Sequence, residues 1–133
     1  MLGKAVEELR LVFSEEELRG LVNEVVNELK HRLELLFIDL GLEEKFDKYL
    51  KGEFSDLPEN WHELVIELVL ASVGSFAIEL ERGVLFWDMD EGLMKRIAGV
   101  LHLLCAVWLE LDMRGVDILE VMKYLSEIVK EEA

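Results

Sequence analysis

The sequence predicts an all-α fold, an antiparallel helical bundle of four major helices plus one or two short helices. Three observations predict it. Apolar residues recur at three- and four-residue steps along most of the chain, and no strand-like alternation is sustained. Capping signals, led by Ser14-Glu15-Glu16-Glu17 and by Gly41, Gly83 and Gly115, cut the chain into segments of helical length. Trp61–Arg82 contains eleven consecutive uncharged residues, Leu68–Ile78. A helix apolar nearly all round has to be surrounded by other helices or by lipid, so this stretch is expected at the centre. The 133 residues are enough for one domain, 1–133, and too few for two ordinary ones.

Residues 1–13 read as a short amphipathic helix, with Leu2, Val6, Leu9 and Phe13 on one face. Ser14 and Glu17 form a capping box in which each side chain satisfies an orphan amide. Leu18, Leu21, Val22, Val25, Leu29, Leu33, Leu36 and Leu40 then make one stripe, closed by Gly41 as a left-handed cap. Glu43–Leu50 is a short helix ended by Gly52, and 53–57 is a loop. Pro58 suits the first turn of a central helix over about 59–82. Gly83 is expected to end that helix, with Val84-Leu85-Phe86-Trp87 as a short apolar bridge. Asp88 with Glu91 caps the next helix, about 90–113, the second heavily apolar element and also central. Gly115 stops it, and Asp117 with Glu120 starts the last helix, whose apolar face is Ile118, Val121, Met122, Leu125 and Val129. Residues 130–133 are expected to fray. Two helices with wide apolar faces are hard to cover with four, so a homodimer is expected; the alternative is a monomer whose flanking helices wrap both.

The net charge is −15, from 29 acidic and 14 basic residues. Nucleic acid is not expected as a partner, because binding it requires clustered Lys and Arg to neutralise phosphates. An anionic membrane surface is disfavoured for the same reason, whereas a basic protein is compatible. The chain has no glutamine, no threonine and only Asn23, Asn27 and Asn60 as asparagines. That depletion, with abundant Glu, is the composition of a hyperthermophilic, archaeal protein. Cys105 is the sole cysteine, in an apolar run, as fits a reducing interior. The first residues, Met-Leu-Gly-Lys-Ala-Val-Glu-Glu, hold no apolar signal core. The longest charge-free runs have 11 and 13 residues, against the roughly 20 a spanning helix needs, so a cytoplasmic location is expected.

Four patterns touch on chemistry. Glu28-x-x-His31 and Glu59-x-x-His62 resemble, in spacing alone, the metal ligands of ferritin-like di-metal bundles; the resemblance implies Glu59 and His62 as metal candidates. His31 should face solvent, opposite its leucine stripe, and His62 should be half-buried and hydrogen-bonded. Arg96-x5-His102 resembles the R-x4–6-H element of HEPN-type ribonucleases. That resemblance implies Arg96 on a phosphate and His102 on a 2′-hydroxyl; without it, His102 reads as a bonded core histidine. Val84–Leu93 resembles the first motif of haloacid-dehalogenase-type phosphatases, but the usual Gly-Thr is absent. Glu43-Glu44-Lys45-Phe46-Asp47 and Glu53-Phe54-Ser55-Asp56 resemble the Mg²⁺-binding pieces of all-helical nucleotide pyrophosphohydrolases, yet lie too close together to occupy two facing helices.

With 29 acidic residues such pairs arise at every spacing, so they carry little weight. The expected function is a non-enzymatic, self-associating interaction module that needs no cofactor. Its surface would use Trp61, Phe86, Trp87 and Trp108. The alternatives are a small helical hydrolase, of the ribonuclease or carboxylate-metal kind, and an acidic protein that binds a basic partner.

Overall fold

The computed structural model describes residues 1–54, 56–87 and 89–131, the last three by their backbone alone. Among the described residues six α-helices follow one another: α1 Leu2–Arg10, α2 Glu15–Asp39, α3 Phe46–Leu50, α4 Trp61–Phe86, α5 Glu91–Arg114 and α6 Ile118–Glu131. A single 3₁₀ turn, Glu43–Lys45, precedes α3, and no strand occurs among the described residues. The fold is therefore an all-α bundle with α2, α4, α5 and α6 as its long members.

Local signals account for most boundaries. Ser14 caps α2 through its hydroxyl, which accepts from the Glu17 amide at 3.1 Å, while Glu17 accepts from the Ser14 amide at 3.0 Å. Asp90 caps α5 by accepting from Leu93 N–H at 2.8 Å. The expected Asp88 cap lies outside the described residues. Asp117 accepts from the Leu119 amide at 2.9 Å at the start of α6. Gly41 and Gly115 take left-handed φ of 73° and 65° and end their helices as expected. α6 runs to Glu131, and 132–133 and the Val129 side chain lie outside the described residues.

The centre is not where the uncharged run placed it. α5 buries nine residues, Ile97 to Leu111, and α2 buries eight, Leu18 to Phe37. α4 buries only Val65, Val69, Ser72 and Gly83. α4 packs chiefly on α5 and less on α2; α1 lies on α5 and α2, and α6 lies on α2. With α1 and α6 committed to that side, no other long helix among the described residues covers the outer side of α4. On α2, Phe37 is fully buried where the leucine stripe anticipated Leu36 and Leu40; Leu40 is exposed and Leu36 half-buried.

Phe37 is the hub of an aromatic cluster. Its ring lies 5.5 Å from Phe46, 5.1 Å from Tyr49, 6.1 Å from Phe54 and 5.4 Å from Trp61, mostly edge-on or tilted. Such pairs contribute about 0.5–1.5 kcal/mol each beyond area burial. The cluster seals the loop between α3 and α4 onto the end of α2.

Candidate interaction surface

The helix expected to stop at Gly83 continues to Phe86. The reason is packing: a Cβ on Gly83 would meet Met89 Sδ at 2.9 Å and Met89 Cβ at 3.0 Å, so glycine is there for the close approach of the returning chain. Val84, Leu85 and Phe86 are consequently the last turn of α4, and all three are exposed, Phe86 at 70%. Trp87 is 87% exposed and adopts φ 55°, ψ 26°, with its amide donating to Gly83 O at 3.1 Å. It is the one non-glycine residue with positive φ among those described. A left-handed conformation costs a side-chain-bearing residue about 1–2 kcal/mol, and glycine is the usual solution. Here a large indole is held out in solvent instead.

The outward side of α4 carries the rest of the apolar surface. At 100° per residue, Val65, Val69, Ser72 and Gly83 define the buried side. Leu70, Ala71, Gly74, Ser75, Ile78 and Leu85 fall on the other; Leu70, Ile78 and Leu85 are exposed, and nothing lies within 4 Å of a Cβ built on Gly74. Leu93, in the first turn of α5, is exposed beside the turn.

The four aromatic candidates do not form one site. Phe86 and Trp87 stand at the α4–α5 turn. Trp61 belongs to the aromatic cluster, its Nε1–H donating to Tyr49 Oη at 3.3 Å. Trp108 is half-buried on α5 against the core, and its buried Nε1 has no hydrogen-bond partner among the described residues. Burial and the loss of solvent raise the Tyr49 hydroxyl to about 12, with the Asp117 charge adding to the shift and the Trp61 bond opposing it.

The candidate catalytic and metal residues are dispersed and engaged. Arg96 Nε donates to Glu24 Oε2 on α2 at 2.8 Å, whereas His102 Nε2 lies 3.0 Å from Glu8 Oε2 on α1. His102 is exposed, not a core histidine. His62 is also exposed, and its Nε2 lies 2.9 Å from Leu111 O, so that nitrogen is bonded across to α5 rather than free to bind metal. Glu59 is exposed in the loop before α4, and His31 is exposed on α2 as expected. Among the described residues no group of three or more His, Cys, Asp and Glu side chains comes together to hold a metal ion. The phosphatase-like stretch runs through helix, turn and the α5 cap, where a strand would be required. Burial pushes the Cys105 thiol up, away from the thiolate a nucleophile needs.

A groove of about 500 Å³ lies between α2 and α5 and is edged by Phe13, Glu16, Glu17, Gly20, Lys95 and Arg96. Its cations are already used: Lys95 sits 4.7 Å over the Phe13 ring and donates to Val12 O at 3.1 Å, and Arg96 holds Glu24. α5 is long and apolar enough, by length and composition, to cross a membrane; here it is the helix against which α1, α2 and α4 pack.

No protein-family model, curated protein or solved structure matches this chain.

Sequence reasoning missed two features. The packing role of Gly83 was hidden because a glycine before an apolar run reads as a stop. The outward stripe of α4 was hidden because an uncharged run reads as buried all round, although the offset of Gly74 and Ser75 from Val65, Val69 and Ser72 was a readable sign of two different sides.

Proposed function

We propose that this chain is a non-enzymatic interaction module that self-associates, most simply as a two-fold homodimer, through the outward side of α4 and the α4–α5 turn. The observation that carries this reading is the exposure of Leu70, Ile78, Val84, Leu85, Phe86 and Trp87 along one helix and its end. Taking about 150–250 Å² for a buried aromatic side chain, and about 25 cal/mol per Å² to convert aliphatic burial, these residues with Leu93 offer on the order of 500 Å² of apolar surface. A standard interface buries about 800 Å² per partner, somewhat more than half of it apolar, so the surface is of the right order. The cytoplasm of a thermophile is the setting that composition supports, and the surplus acidity keeps such a protein soluble while its apolar surface is paired.

Sedimentation of the untagged protein tests this. A dimer with a dissociation constant below about 100 μM is expected. A monomer throughout that range overturns the reading and returns attention to a hydrolase, for which His102→Ala and metal analysis are the discriminating experiments.

A further inference from the structure

The spacing on the outward side of α4 is symmetric. Glu67, Ala71 and Gly74 stand at the same intervals before the point between Gly74 and Ser75 as Arg82, Ile78 and Ser75 stand after it. All six lie within one outward sector of the helix, and Glu67, Ala71, Ser75, Ile78 and Arg82 are exposed. Neither Glu67 nor Arg82 makes an ion pair with a described residue. Gly74 has nothing within 4 Å of a Cβ position, so no close approach of another described residue explains a glycine in mid-helix, where it is unfavourable. Gly83 and Gly99, by contrast, have Met89 and the Leu21 and Phe13 side chains packed on them. Gly20 is also open, but it is edged by Glu16, Glu17, Lys95 and Arg96 rather than set in an apolar stripe.

We infer that α4 pairs antiparallel with α4 of a second copy about a two-fold axis passing between Gly74 and Ser75. This rests on the self-association proposed above and specifies it. Small residues at the axis let the two backbones approach closely. On either side Ile78 packs over the partner's Ala71, and Leu85 meets the partner's Leu64. At the ends Glu67 faces the partner's Arg82, twice by symmetry. Charge decides the direction: antiparallel pairing sets Glu67 against Arg82, whereas parallel pairing in register sets Glu67 on Glu67 and Arg82 on Arg82. Glu63, Glu79 and Glu81 flank the stripe and remain in water. Exposed ion pairs add little affinity, so they select orientation while the apolar stripe supplies the binding.

Disulfide trapping in a Cys105→Ser background tests the register. Ser75→Cys lies beside the axis and is expected to form an interchain disulfide readily, since bridged Cα atoms must lie within about 7 Å. Glu67→Cys alone sits about 22 Å from its symmetry mate at 1.5 Å rise per residue, and is expected to stay reduced. The double variant Glu67→Cys/Arg82→Cys is expected to cross-link. Gly74→Leu, whose Cβ has open space within 4 Å, is expected to keep the fold and to raise the dimer dissociation constant at least about tenfold. A dimer in which Ser75→Cys stays reduced, or in which Glu67→Cys cross-links alone, overturns this pairing and leaves self-association standing on another face. A wild-type protein that is monomeric removes the reading beneath it as well.

Discussion

Met89 closes on Gly83, with Sδ 2.9 Å and Cβ 3.0 Å from where a glycine Cβ would stand. Because Met89 Cβ is part of the approach, the side chain cannot simply swing aside. Gly83→Ala gains about 1 kcal/mol of helix propensity and forces the α4–α5 turn apart, at an overpacking cost of about 1–3 kcal/mol. The expected outcome is a lower melting temperature. Glycine at 83 tolerating alanine with no loss of stability would show that the turn has another conformation available.

Trp87 separates folding from association. Trp87→Gly relieves the left-handed strain of about 1–2 kcal/mol and removes an indole that the single chain leaves in solvent. Thermal stability measured under monomeric conditions should hold or rise, while the dimer dissociation constant rises about tenfold or more, as for an aromatic anchor. A fall in monomer stability without any change in association would mean that the indole serves the fold.

Tyr49 sets an alkaline limit. Its folded pKa of about 12 is raised above the ordinary value of 10, so its neutral form is favoured by folding. That contribution is fully present below pH 10 and is lost as pH rises through about 12. In a Tyr124→Phe background, tyrosinate absorbance should therefore appear late and together with unfolding, and Tyr49→Phe should flatten the alkaline loss of stability.

Glu110 sets an acidic one. This 7% exposed carboxylate accepts from the Leu2 amide at 3.0 Å and lies near the Met1 amine at 3.3 Å and Arg114 at 3.5 Å. The Leu2 bond holds its pKa below the usual carboxylate range. A depressed folded pKa stabilises above the unfolded value, and the contribution is lost as pH falls through the folded one. Glu110→Gln should cost about 1–3 kcal/mol at neutral pH, loosening α1 from α5, and the difference from wild type should shrink on acidification.

The order of the helices, the Ser14 box, the left-handed Gly41 and Gly115, and the buried faces of α1, of α2 as far as Leu33 and of α6 as far as Leu125 were written in the sequence. These depend on spacings of a few residues, and one helix's own geometry enforces them. The candidate surface was only half legible: Phe86 and Trp87 were marked by composition, but Trp61 carried the same mark and belongs to the Phe37 cluster.

Which helices lie at the centre, and which side of α4 stays bare, depended on how α1 and α6 divide themselves between α2 and α5. That choice is made by contacts between residues as far apart as Leu2 and Glu110, and no local period records it. The same holds for Gly83, whose neighbour Met89 comes to it only when the chain has turned back. The sequence by itself determined the all-helical class, the caps at Ser14, Gly41 and Gly115 and the acidity, because propensity and periodicity act within a turn or two. Only the tertiary structure decided exposure, because a side chain's burial is settled by what the rest of a finite chain has left to cover it.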